Sequence, residues 1–261
     1  MRSLNTSATG MIAQQLNLDV IANNLANVNT TAFKHQRAEF QDLMYQTVQA
    51  AGSFASDTQK TPQGLQIGLG TRNSATSSDF SQGAVLNTGK PTDMMIMGEG
   101  FFRVKRPDGG TAYTRDGSFS RDDTGLLVSS DGYPLDPPIS IPDKTTVVSI
   151  GADGTVQANV AGESTPQVLG KVQVATFVNP AGLTRLGQNL YQESAASGSE
   201  TIATPGLEGT GTISAGHLEG SNVQIVEEMV RMIQAQRAYE INSKAIQTSD
   251  EMLNTMNGLK R

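Results

Sequence analysis

The sequence contains no cysteine, no tryptophan and two histidines among its 261 residues. Without cysteine there can be no disulfide framework, no thiolate nucleophile and no cysteine-ligated zinc. Charge is scarce as well: Asp, Glu, Lys and Arg make up 17%, against roughly 25% in an average soluble domain. Something other than charge must cover much of the surface. The balance is mildly acidic, 19 basic against 25 acidic residues, and no basic stripe is present to neutralise phosphates, which argues against a nucleic-acid partner. No apolar run approaches the roughly 18 residues of a membrane span. The opening MRSLNTSATGMIAQQLNLDV has a single arginine and no long apolar run, unlike a cleaved Sec signal peptide. Composition alone therefore reads as cytoplasmic.

Catalytic patterns are missing too. His35 and His217 belong to no HExxH, Ser-His-Asp or H-x-E arrangement, and there is no G-x-S-x-G. Gly98-Glu99-Gly100 lacks a third glycine and runs straight into FFRV, so it reads as a turn rather than a phosphate loop. Asp116-Gly117 and Asp122-Asp123-Thr124-Gly125 lack the twelve-position spacing of a calcium loop and read as hairpin turns. No enzyme activity, cofactor or metal is expected. A secreted module that binds or cleaves glycan would need paired acids in a cleft, and no pair stands out.

What is present is assembly chemistry at both ends. Apolar residues are 37%, with 27 glycines, and the length suffices for one large domain or two modest ones. Over residues 1–45 helix is expected, with Leu4, Met11, Leu18 and Leu25 recurring every seven residues beside Ile21. The opposite face is unusual, because Arg2 and Asp19 are the only charges before Phe33. Amides and hydroxyls suit a helix pressed by neighbours on several sides, since they can pair without the desolvation cost of a charge. The helix should fray near Asn23, Asn24, Asn27 and Asn29, with a second helical stretch over 36–49. Residues 46–70, with Gln46, Gly52, Pro62 and Gly64, read as an extended linker. Residues 71–215 carry short β-rich runs between Asp-Gly turns.

Over 221–257 helix returns, with Ser221 and Gln224 at capping-box spacing and Gly258 as a C-terminal stop. Ile225, Met232, Tyr239, Ile246 and Leu253 repeat every seven residues, and Glu227–Arg231 and Glu240–Lys244 form i,i+4 pairs. A helix of about 55 Å needs a helical partner, and the N-terminal heptad is available. The expected fold is α+β: residues 1–45 and 216–261 form a coiled-coil domain, 46–70 link it, and 71–215 form an inserted all-β domain.

MIAQQLNLDVIANNLANVNTTAFKHQRAEFQDLMYQT resembles the N-terminal signature of the bacterial flagellar rod and hook protein family, and LEGSNVQIVEEMVRMIQAQRAYEINSKAIQTSDEML resembles its C-terminal signature. GLQIGLG, GEGFFRV, AYTRDGSFSRD and TPGLEGTG follow the family's middle. The matching motif positions are Asn23, Asn24, Asn27, Asn29, Phe33, Asn222, Gln236, Arg237 and Tyr239. The length leaves no room for the extra outer domain of a hook protein, and the stretch Gln46–Gly64 followed by GLQIGLG resembles the distal-rod branch rather than the hook. Ala32 departs from the family's usual glycine in TTGFK, where a positive φ is easier for glycine.

The resemblance implies a subunit that polymerises helically with itself into a straight hollow drive shaft, with terminal helices as an inner tube and the β domain outside. It implies proximal rod proteins, the hook protein, the peptidoglycan-ring and outer-membrane-ring proteins and the flagellar type III export apparatus as partners. It also implies a location from periplasm to outer membrane, reached without a cleaved signal peptide, against the compartment that composition suggests. A proximal rod or short hook subunit is the nearest alternative.

Overall fold

The structure is a computed structural model and describes residues 2–51, 54–56, 59–60, 62–162, 165–207 and 209–258. It is α+β, with a helix at each end of the chain and strands between. The chain divides into two compact units, the first made of residues 1–26, 36–78 and 224–261 and the second of residues 27–35 and 79–223.

In unit 1, α1 (Arg2–Ala26) packs against α2 (Ile225–Gly258). The expected capping box is replaced by a simpler start. The Gln224 carbonyl accepts the Glu228 N–H at 3.1 Å, while Ser221 Oγ accepts the Val223 N–H at 3.2 Å. Glu227 and Glu228 in the first turn complement the positive end of the helix dipole. Gly258, expected as a stop beyond the helix, is itself helical.

The second helix expected over 36–49 is not there. Gln36–Asp42 forms strand β1, paired antiparallel along its whole length with β6 (Thr71–Ser78), from Gln36 opposite Ser78 to Asp42 opposite Thr71. The Thr- and Ser-rich partner has β propensity and supplies a full ladder, and such long-range pairing overrides weak local helix preference. Residues 71–78 consequently belong to unit 1 rather than to the β-rich region beyond them. The expected linker is also paired: β2 (Tyr45–Gln49) joins β5 (Leu65–Gly68), and β3 (Phe54–Ser56) joins β4 (Gln59–Lys60). Gly64 permits that closure, because a Cβ there would stand 2.8 Å from the Gln49 carbonyl.

Unit 2 is β-rich and holds its own core. It contains β7 (Val85–Asn87), β8 (Met94–Met97), β9 (Phe101–Lys105) and β10 (Thr111–Thr114). A six-stranded sheet runs in the order 184–187, 190–192, β10, β9, 174–176, 201–203, and a three-stranded sheet joins 145–150, 155–160 and 167–171. Side chains alternate across β9 as strand geometry requires. Phe102 and Val104 enter a cluster with Met94, Ile96, Phe119 and Leu127, whereas Phe101 joins Tyr113, Phe177 and Tyr191.

Ala32 lies in unit 2 with φ +55°, buried, its N–H donating to the Glu219 carbonyl at 2.7 Å. Left-handed backbone costs a non-glycine residue about 1–2 kcal/mol, and a glycine gives back about 0.4–1 kcal/mol through a freer unfolded chain. Ala32→Gly should therefore raise the melting temperature by about 2–4 °C in a calorimetric scan, and a lowered midpoint would show that the turn is unstrained.

Candidate assembly interface

The contacts along α1 and α2 fix an antiparallel register. Ser3 Oγ meets Ser249 Oγ at 3.4 Å, a Cβ at Gly10 would touch Asn242, and Asn24 Nδ2 donates to Glu228 Oε2 at 3.0 Å. Each seven-residue step up α1 is matched by a seven-residue step down α2. The row of closest approach is thus Ser3, Gly10, Asn17 and Asn24 against Ser249, Asn242, Ala235 and Glu228. Small side chains at Ser3, Gly10, Ala235 and Ser249 allow the backbones to come close.

This seam is not centred where the apolar heptads alone would centre it. Leu4, Met11, Leu18 and Leu25 lie one residue, or about 100°, away from the contact row and are only half-buried, whereas Ile21 is buried. On α2, Met232, Ile246 and Leu253 flank the row and are half-buried, while Ile225 and Tyr239 are exposed. Glu227 and Arg231 approach to 3.7 Å, and Arg231 pairs more closely with Glu228 at 3.1 Å. Among the described residues Glu240 and Lys244 form no such pair.

Asn24 locks the upper end. Its Oδ1 accepts the Gln36 N–H at 3.0 Å, and its Nδ2 donates to the Gln36 carbonyl at 2.8 Å and to the buried Glu228. One amide thereby satisfies the backbone of β1 as a neighbouring strand would, and also neutralises part of a buried carboxylate's need for donors. Lower down, where Asn17 faces the short Ala235, a cleft of about 420 Å³ remains, lined also by Gln14, Val20, Phe40 and Gln234.

The rest of unit 1 exposes apolar surface. Val226, Val230 and Ile233 lie two residues off the seam row, on the face of α2 turned away from α1, and Val226 is 75% exposed. Ile12, Ile241, Met252 and Met256 are exposed as well. The β2–β5 ribbon is exposed along nearly its whole length, with Met44 at 82%, and with Tyr45, Val48, Leu65 and Ile67 open to solvent. Gln46 and Pro62 are exposed, Gly64 sits at the ribbon's close approach, and Gly52 lies outside the described residues.

The remaining motif residues divide. Asn222 is a second asparagine clamp, within unit 2: its Oδ1 accepts the His35 N–H at 2.7 Å and its Nδ2 donates to the carbonyls of Asp79 at 3.0 Å and Ser81 at 3.2 Å. Phe33 is buried beneath the Arg185 guanidinium, 5.5 Å from its ring centre. Asn27 Oδ1 accepts the Thr30 hydroxyl at 3.0 Å. Asn23, Asn29, Gln236, Arg237 and Tyr239 are exposed. Sequence reasoning placed Ala235 beside the apolar stripe but missed Glu228, Asn242 and Ser249. With Ala235 they form their own row at seven-residue spacing, but an apolar search does not see polar residues.

Residues 4–34 match the family described as flagella basal body rod protein, residues 95–158 the flagellar hook protein FlgE/F/G D1 domain, and residues 214–259 the flagellar basal body rod FlgEFG protein C-terminal family. The chain is 51% identical to the flagellar basal-body rod protein FlgG of Borreliella burgdorferi over 263 residues, covering 100% of this chain and 99% of that protein. It is 46% identical to FlgG of Caulobacter vibrioides over 261 residues, all of both chains. Against FlgF of the same organism, identity falls to 33% over 239 residues, or 90% of this chain and 88% of that protein.

Asn24→Ala would strand the Gln36 amide, at about 1–3 kcal/mol, and take one donor from the buried Glu228, which keeps Arg231. Unfolding followed by helical circular dichroism should show a loss of roughly 2–4 kcal/mol, and Asn24→Asp, which sets a second carboxylate against Glu228, should lose more. Wild-type stability in both variants would remove Asn24 as the clamp.

Proposed function

The chain belongs to the bacterial flagellar rod and hook protein family, and from that footing we propose that it is the structural subunit of the distal rod, polymerising into a straight hollow drive shaft. The observation that carries the reading is the apolar face of α2, Val226, Val230 and Ile233, left uncovered by the seam with α1. Contiguous exposed apolar surface of this kind marks an interaction site, and copies of the same chain stacked helically would cover it. The higher identity to FlgG than to FlgF within one organism supports the distal over the proximal position. The chain is no enzyme.

In this reading the terminal helices form coiled-coil contacts in an inner tube, and the β-rich unit is an insertion carried outside it. Leu4, Met11, Leu18, Leu25, Met232, Tyr239, Ile246 and Leu253, half-covered or exposed in one copy, would complete their burial between copies. The scarcity of charge on α1 lets copies stack without like-charge repulsion. Residues 46–64, with the β2–β5 ribbon that flanks them, wedge between neighbouring subunits and stop them sliding, which keeps the shaft straight. A lone two-stranded ribbon is marginal in water, so the exposed side chains of this one favour a docked state. The shaft joins proximal rod proteins to the hook protein and turns within the peptidoglycan-ring and outer-membrane-ring proteins. Its subunits reach that place, from periplasm to outer membrane, through the flagellar type III export apparatus.

Leu18→Asp or Ile246→Asp should abolish polymerisation, read by electron microscopy, while the β-rich unit keeps its fold by near-ultraviolet circular dichroism. Filaments of normal form from either variant would sink the proposal. Deleting residues 46–64 should give curved or more flexible polymers, and straight ones of unchanged stiffness would refute the wedge.

A further inference from the structure

Unit 2 encloses a charge cluster that takes no part in the helix seam. The Lys34 ammonium is fully buried and donates to Glu219 Oε1 at 2.6 Å and to the Ser81 carbonyl at 2.7 Å. Glu219 is buried too. Its Oε1 also accepts the Gly83 N–H at 2.9 Å, and its Oε2 accepts Arg115 Nε at 3.0 Å. Arg115 Nη1 donates to the carbonyls of Gly98 and Gly100, both at 2.7 Å. Two buried cations thus share one buried anion, and their segments are far apart in the chain.

Glu219 holds the segment leading to Lys34 twice over, since its backbone carbonyl accepts the Ala32 N–H at 2.7 Å. Arg185 adds a bond from its guanidinium to the Lys34 carbonyl at 2.9 Å. Burial alone would raise the Glu219 pKa, but Arg115, Lys34 and the Gly83 N–H outweigh it and hold the carboxyl below its ordinary value. Burial pulls the Lys34 ammonium below its ordinary value, with Arg115 adding to the effect and Glu219 opposing it. One carboxylate serves two cations, which makes the anion the limiting partner.

We propose that Glu219 is the keystone of a latch that docks residues 27–35 onto the rest of the β-rich unit, and that the segment is released when this carboxylate is lost. Removing one partner of a buried ion group is costly when it leaves a charge uncompensated. Loss of Glu219 takes from both cations the carboxylate they share, leaving carbonyl acceptors and the weaker influence of Asp79 on Lys34, whereas loss of Lys34 leaves a balanced Arg115–Glu219 pair. The core cluster of Met94, Ile96, Phe102, Phe119 and Leu127 includes none of the three, so the latch opens without dissolving it. Because Lys34 and Glu219 come from opposite ends of the sequence, a chain emerging N-terminus first keeps residues 27–35 undocked until nearly all of it is present.

Hydrogen exchange of the full-length chain, read by mass spectrometry on peptides covering 27–35 and 101–114, tests this. Glu219→Gln should speed exchange across 30–35 by about 100-fold while 101–114 stay protected. Lys34→Met should remain within about tenfold of wild type, and Lys34→Met added to Glu219→Gln should slow the exchange again. Wild-type protection in Glu219→Gln, equal losses in the two single variants, or simultaneous loss of protection at 101–114 would each overturn the latch.

Discussion

The antiparallel register of α1 against α2 is the constraint from which the rest of unit 1 follows. The helices approach along Ser3, Gly10, Asn17 and Asn24 facing Ser249, Asn242, Ala235 and Glu228, a row of small and amide side chains ending in one buried carboxylate. Such a row fixes register through its two ends, where Ser3 meets Ser249 and Asn24 donates to Glu228, but it buries little apolar area. At about 25 cal/mol per Å² of apolar surface, the stabilisation still available lies in the leucines, isoleucines and methionines beside the row and on the far face of α2. A structure that specifies its pairing with polar atoms and leaves its apolar surface open is suited to joining others like it.

Two asparagines repeat one device. Asn24 in unit 1 and Asn222 in unit 2 each use both ends of an amide to satisfy backbone groups of a distant segment, at Gln36 and at His35, Asp79 and Ser81. Adjacent residues, His35 and Gln36, are thereby fixed by different units. The β-rich unit owes its own stability to a conventional core around Phe102 and Phe119, and its buried ions lie outside that core.

The terminal helices, the β-rich middle and the absence of catalytic patterns were legible in the sequence, because heptad spacing, Asp-Gly turns and missing motifs are local signals. The seam was legible only in part. Leu18 and Ile246 stand out by hydrophobicity, yet Ser3, Gly10 and Ala235 decide the closest approach, and small residues carry no apolar signal. Strand β1 was missed because QRAEFQD is as compatible with helix as with strand until Thr71–Ser78 comes to pair with it. The β2–β5 ribbon was missed because the Gly- and Gln-rich composition around it imitates a linker. Ala32 was readable as a departure from glycine, and its φ of +55° agrees with the strain that departure implies. The Lys34–Glu219–Arg115 cluster had no sequence signal at all, since its members lie far apart in the chain.

In the proposed shaft, copies of this chain meet on the uncovered face of α2. Electron cryo-microscopy of polymers grown from concentrated purified protein tests it most directly. The expected result is straight hollow tubes in which Val226, Val230 and Ile233 are buried against neighbouring copies. Compact monomers at every concentration, or tubes in which that face lines open solvent, would contradict it.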